Sequence, residues 1–285
     1  MATKEVQNPA PTTTLEGKRS PRATIWLWLT VPIAFLVAIA AGVGFFIEDL
    51  YRDAPVNTAQ AVGQDLITLV VALPTLLISA ILALRGSRRA HLVWLGALGY
   101  LVYTYLTYTL AIQFTPLFLG YVALLGLSLY ALIGDLATTD FARIKAHFSP
   151  RTPVKAVSIY LAVVALLFYF NWLSEDIPAL LAGGVPKGVI DSEAPTDIVH
   201  VLDMAWILPA NVLTAIWLWR RRAVGYALAG TLLSFLSLLV LAIMSMIVFE
   251  VLYGQVAALV PVAIFGSVFA ISVGMVVWYL RGLKE

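Results

Sequence analysis

Apolar residues in this chain fall into runs of about twenty, separated by shorter polar stretches. Eight runs are seen, over approximately 25–47, 63–84, 91–113, 116–136, 154–173, 198–219, 224–249 and 257–280. Twenty helical residues at 1.5 Å each cover the ~30 Å hydrocarbon core of a bilayer. A transmembrane barrel would show alternating segments of ~10 residues instead. The pattern therefore predicts an all-α, polytopic transmembrane bundle of about eight helices. Pro74 and Pro209 fall inside their runs. Membrane helices tolerate this, because neighbours re-satisfy the freed carbonyl.

Residues 1–23 are polar, carry Pro9 and Pro11 and lack any period, so they read as a disordered cytoplasmic tail. Lys18, Arg19 and Arg22 precede the first run, and the small residues from Ala38 to Gly44 mimic a cleavage site. A signal peptide has an apolar core of only 7–15 residues. The first run is longer, and an uncleaved first helix is expected.

Composition agrees. Of 285 residues, 61% are hydrophobic and 12% charged, and the mean hydropathy is +0.92. Average soluble domains are about half apolar and a quarter charged. A soluble enzyme, a disordered chain and a nucleic-acid-binding module are excluded. With no cysteine there are no disulfides, thiolate metal sites or cysteine nucleophiles.

The charges are segregated. Sixteen of the 18 basic residues lie in the tail, at the chain end or in the connections after spans 2, 4 and 6; only Arg52 and Lys187 map to the other face. The positive-inside rule then places both termini in the cytoplasm of a plasma-membrane protein. Eleven acids, among them Glu48, Asp49, Asp53, Glu175 and Asp176, map to the outer face or outer helix ends. Two readings stand: acids accumulate outside without consequence, or they concentrate cations at an entrance.

The two halves of the chain resemble each other. QDLITLVVALP, from Gln64 to Pro74, is followed by Arg85; HVLDMAWILP, from His200 to Pro209, is followed by Arg220. The prolines and the arginines share one offset of 135 residues. The expected organisation is a first four-helix repeat over 24–140, a cytoplasmic linker over 141–153 and a second repeat over 154–285. Repeats of four helices keep one orientation, so a pseudo-two-fold axis would lie along the membrane normal, with a substrate path between the halves. Capping by acids outside and arginines inside offers a plainer source of the likeness.

The words QDL…P, Arg-Gly-Ser-Arg-Arg, LGALGYLVYTYLTY and HVLD…P with Arg220-Arg221-Arg222 resemble a group of uncharacterised bacterial multi-pass membrane proteins with eight helices. The resemblance covers most of the chain from the first helix onward. It implies the architecture and no activity.

No charge is expected deep within a span, which argues against a midplane proton relay or voltage sensor. Asp65 and Asp203 are placed one to two turns below the outer boundary, and Glu250 at the outer end of span 7. His200 and Asp203, three apart, share a helix face. Span 3 carries Tyr100, Thr104, Thr107 and Tyr108 as a stripe and then Gln113. The candidate ligand-binding set is Asp65, Tyr108, Gln113, His200, Asp203 and Glu250. It is expected to face the bundle interior, because carboxylates facing lipid cost several kcal/mol. Helix capping, interfacial tyrosines and interhelical hydrogen bonds explain the same residues structurally.

No catalytic motif is present. The three histidines, His91, His147 and His200, map to opposite faces and cannot converge as zinc ligands. No metal, cofactor or nucleic-acid partner is expected. The outer loop over about 176–197, with its PALLAGGVP stretch, reads either as a connector or as a segment lying on the membrane or over the bundle mouth. The leading functional expectation is a transporter or channel-like protein for a small cation or polar solute, with the lipid bilayer as its partner. A membrane-embedded enzyme acting on a lipid-linked substrate at the outer leaflet, and a non-catalytic membrane subunit, are the alternatives.

Overall fold

The computed structural model describes the backbone of residues 21–255 and 259–285, and side chains apart from those of 21–24 and 256–261. The expected tail lies outside the described residues except for its last three positions, which are already helical from Pro21. Proline is favoured in a first helical turn, where its missing N–H costs nothing.

All long elements are helices. We number them α1 (Ile25–Phe46), α2 (Pro55–Leu84), α3 (Arg88–Ala111), α4 (Phe118–Thr138), α5 (Val154–Leu181), α6 (Ile198–Trp219), α7 (Ala223–Leu252) and α8 (Leu259–Arg281). Short helices at Phe141–Ala146 and Lys187–Ser192 fill two connections. Among the described residues the only β-pairing is one isolated bridge, between Phe148 and Leu283.

Seven of the eight long helices are apolar enough to cross a membrane, and the exception is α3. Its 24 residues would span, but four tyrosines and three threonines dilute its hydropathy. The reason lies in its position. α3 packs against α2, α4 and α7 and is buried along most of its length, so its polar side chains meet protein rather than lipid. α7 is the second central helix, packed on α2, α3, α6 and α8. Gly96 sets the α3–α7 approach: a Cβ there would lie 2.5 Å from Ser234 Cβ and 2.7 Å from the Thr231 carbonyl. Such close backbone contact is the usual way membrane helices gain packing energy.

α2 and α6 share an irregularity. Each contains a π-helical segment, Thr68–Ala72 and Asp203–Ile207, just before Pro74 and Pro209. Their offset is again 135 residues. Proline cannot donate to the preceding turn and its ring crowds that turn; a wider turn accommodates it. Pro209 leaves the Met204 carbonyl without a backbone donor in this register, and the Tyr169 hydroxyl of α5 donates to it at 3.0 Å.

The basic end is clamped by the chain terminus. Glu285 accepts from Ser87 Oγ (2.9 Å) and the Arg88 amide (2.8 Å), Arg89 donates to the Leu283 carbonyl (2.7 Å), and the Lys284 amide donates to the His147 carbonyl (2.9 Å). Connections α2–α3 and α4–α5 and the end of α8 thus meet on one face, and the acidic connections lie on the other. There the Asn57 amide donates to the Ser192 carbonyl at 3.0 Å.

Two boundaries differ from expectation. α2 begins at Pro55, because Asn57, Thr58 and Gln60 extend the helix beyond the apolar run. α5 continues through Glu175, Asp176 and Pro178 to Leu181. The outer loop is correspondingly short. The apolar side chains Leu180 and Leu181 at the end of α5 and Val185 in the loop are exposed and do not plug the bundle.

Candidate functional site

Asp65 lies at the outer third of α2, buried to 2% exposure. Tyr51, in the connection between α1 and α2, donates its hydroxyl to Asp65 Oδ2. Tyr108, on α3, donates to Asp65 Oδ1 at 3.1 Å and to the Ala61 carbonyl at 3.0 Å. No cation pairs with this carboxyl among the described residues. It is held by hydroxyl donors alone, a demanding arrangement for a buried acid. Tyr105 and Tyr121 complete an aromatic wall, with ring centroids 5.9 Å and 5.2 Å from Tyr108. Their own hydroxyls are buried without a hydrogen-bond partner among the described residues.

Gly44 of α1 closes the cage. A Cβ there would lie 1.9 Å from Asp65 Oδ2 and 2.4 Å from the Tyr51 hydroxyl, so only glycine lets α1 pass. Above Gly44 and Tyr51 opens a cleft of about 290 Å³, whose rim includes Glu48, Asp49, Thr58 and Tyr253. Asp65 therefore sits directly beneath a cleft at the acidic end of the bundle, one residue layer from its floor. Tyr51 lies outside the spans, and burial, then the neighbouring Tyr108 and Asp65, push its hydroxyl pKa up.

A second buried acid lies across α3. Asp203, at the start of the π segment, accepts from Trp172 Nε1 at 2.9 Å and from the Tyr103 hydroxyl at 3.0 Å. Tyr103 and Tyr108 are five residues apart, which turns them about 140° from each other on the helix. The two acids thus face different sides of α3. His200 lies above Asp203, its ring 4.3 Å from that of Trp172. Its Nδ1 is 3.0 Å from Asp176 Oδ1, and its Nε2 is 3.6 Å from Asp197 Oδ2. Asp197 also caps α6 by accepting from the amides of Val199 and His200.

The six expected site residues are therefore not one constellation. The structure brings Asp65 to Tyr108, and His200 and Asp203 to a common neighbour, Trp172. Gln113 lies in the exposed α3–α4 connection, where its backbone amide donates to Asp53 Oδ1 at 2.9 Å. Glu250 accepts from Gln60 Nε2 at 2.6 Å, at the outer ends of α2 and α7. Neither touches Asp65. Tyr51, Tyr121 and Gly44 belong to the Asp65 site and carried no signal in the sequence, where the small residues from Ala38 to Gly44 read only as a mimic of a cleavage site. Trp172 and Asp176 were visible as the polar end of span 5 but not as partners of His200 and Asp203. Among the described residues no three His, Asp or Glu side chains are placed to hold a metal ion.

Compared with protein families, with curated proteins and with solved structures, the chain matches none of them.

Proposed function

We propose that this membrane protein moves a small cation or polar solute, and that Asp65 is the group through which it does so. The observation that carries this reading is the position of Asp65: a carboxyl without a counter-cation, caged by tyrosines, one layer beneath an acidic cleft at the outer helix ends. An ionisable group in a span is costly and marks solute and proton pathways. Acids at the rim raise the local concentration of cations. In this reading the chain crosses the bilayer eight times, with α3 as the shielded span and the basic end in the cytoplasm. The matched π segments, prolines and cap arginines of α2 and α6 support two repeats of common orientation. Asp203, another buried acid, is committed to Trp172 and Tyr103, with the His200 ring beside Trp172.

The test is flux through proteoliposomes of the full chain, across a panel of protons, alkali cations and small polar solutes. Wild type should carry at least one of them, and Asp65→Asn should lose that flux at unchanged yield and elution volume. Absence of any flux across the panel overturns the reading.

A further inference from the structure

The inner end of the same four helices holds another buried acid that the outer cleft does not explain. Asp135 of α4 is 1% exposed. Its Oδ2 lies 2.7 Å from His91 Nε2 and accepts from Thr139 Oγ1 at 3.1 Å. Its Oδ1 is buried with no partner among the described residues. An unused donor lies in the same wall: Trp26 Nε1 of α1 is likewise buried and unpartnered, its ring pressed against Gly134 so closely that a Cβ there would be 2.5 Å away. The His91 ring stacks on Trp94 at 6.0 Å, and Trp94 Nε1 donates to Thr30 Oγ1 at 2.9 Å. A buried acceptor and a buried donor, both unused, are what a proton or an exchanging water occupies.

From this pair a polar seam follows α3 outward. Tyr100 meets Thr68 at 2.8 Å, Gln64 donates to Thr104 at 2.7 Å, and Tyr108 reaches Asp65. Positions 100, 104 and 108 form one stripe, facing α2. His91 and Tyr108 are 17 residues apart, or about 26 Å along the axis, close to the ~30 Å core. The widest gap, from Trp94 to Tyr100, is about 9 Å. Ser128, fully buried on the Asp135 face of α4, lies two turns outward of Asp135 and so at the level of this gap.

We propose that Asp135, with His91, is an inner proton-exchange site, joined to Asp65 by this seam, so that the ion moved or coupled is a proton. This rests on the transport reading and names its ion. A proton is the species that fits. The seam consists of hydrogen-bonded pairs, Tyr100 with Thr68, Gln64 with Thr104 and Tyr108 with Asp65, whose hydroxyl and amide groups can each pass a proton, whereas a metal ion would need several oxygens to replace its water. The balance is simple: Asp135 takes a proton on Oδ1 from the inner solution, and the seam delivers an equivalent one at Asp65; only O–H and N–H bonds change. Few charges bear on the site. His91 faces Asp135; Arg88 and Arg89 lie one turn back on α3, with Arg89 turned to Leu283 and Glu285; α1 presents Trp26 and Thr30.

The experiment uses full-length protein in liposomes loaded with a pH-sensitive dye, with proton flow driven by a potassium diffusion potential. Wild type should conduct. Asp65→Asn and Asp135→Asn should each lower the rate at least tenfold, Asp135→Glu should retain it, and His91→Gln should displace its pH profile. Should Asp135→Asn fail to elute as wild type does, His91→Gln and Asp135→Glu carry the comparison. Wild-type flux unchanged in Asp135→Asn and His91→Gln overturns the inner site and leaves the transport reading standing. No wild-type proton flux overturns the proton path; if another cation or solute then moves, transport survives it, and if none moves both fall.

Discussion

Replacing Gly44 by alanine places one methyl group where the structure has no room for it. Its Cβ would lie 1.9 Å from Asp65 Oδ2 and 2.4 Å from the Tyr51 hydroxyl, so either α1 shifts outward or the Tyr51–Asp65 bond opens. Overpacking a close-packed interior costs about 1–3 kcal/mol. Losing a hydrogen bond to an ionisable group costs about 1.5–3 kcal/mol. One of these must be paid in full, so Gly44→Ala should destabilise the protein by about 2–3 kcal/mol. Tyr51→Phe alone removes the hydrogen bond and should cost about 2 kcal/mol. The double variant decides the matter. Without the hydroxyl, the carboxyl is free to rotate from the new methyl, so the two costs should overlap by about 1 kcal/mol or more. Reversible unfolding in mixed micelles, with increasing fractions of a denaturing detergent, measures all four proteins. Gly44→Ala unfolding at the wild-type midpoint, or strictly additive costs, would refute the cage geometry.

Other consequences are accessible to simpler measurements. Trp172→Phe and Tyr103→Phe should each weaken unfolding resistance by about 1.5–3 kcal/mol through Asp203, and Trp172→Phe should in addition change the resonance of the adjacent, tilted His200 ring, seen by NMR. Burial raises the pKa of Asp53, opposed by its hydrogen bond from the Gln113 amide; the folded protein thus holds this proton more tightly than the unfolded chain, and stability should fall as pH rises from about 4 through the raised value. Asp53→Asn, which keeps the acceptor, should flatten that slope, as pH-dependent unfolding would show. Glu285→Ala should cost less than about 1 kcal/mol, because its ion pair with Arg89 is largely solvated, whereas Tyr279→Phe, which frees the buried Tyr226 carbonyl, should cost about 1 kcal/mol or more.

The spans were legible because about twenty apolar residues in a row have one physical meaning. Their ends were not. Asn57, Thr58 and Gln60 extend α2 above the apolar boundary, since backbone hydrogen bonding continues where the side chains turn polar, and Glu175 and Asp176 do the same for α5. Asp65 and Asp203 announced themselves as acids in apolar runs that had to turn inward, and both do. Spacing on single helices was no guide to their partners. His200 and Asp203 share a face by count and both meet Trp172, yet His200 pairs with Asp176 and Asp197 while Asp203 takes its bonds from α3 and α5. Tyr51 stands in a short connection with no period to place it. The pairing of Asp135 with His91 was not legible at all, because it joins residues 44 apart in sequence on different helices.

The division of work between the two central helices bears on where a path can run. Thr231, Ser234 and Ser237 of α7 each donate to their own helix, four residues back, so α7 offers α3 few free hydrogen-bonding groups. Gly96 draws the two backbones into contact along this seam. A path between parallel repeats would follow the α3–α7 contact, which is closed at Gly96. The polar side chains of α3 point elsewhere: Tyr100, Thr104 and Tyr108 to α2, and Tyr103 to Asp203. The bonds of Tyr100, Thr104 and Tyr108 thus stay within the first four helices, whereas that of Tyr103 crosses to α6 in the second half. In α2 and α6 the π turns coincide with Thr68 and Asp203, the points where each helix meets a tyrosine of α3. The α7 side and the α2 side of α3 are thus separate surfaces of one helix, the first closed at Gly96 and the second carrying the bonded polar side chains.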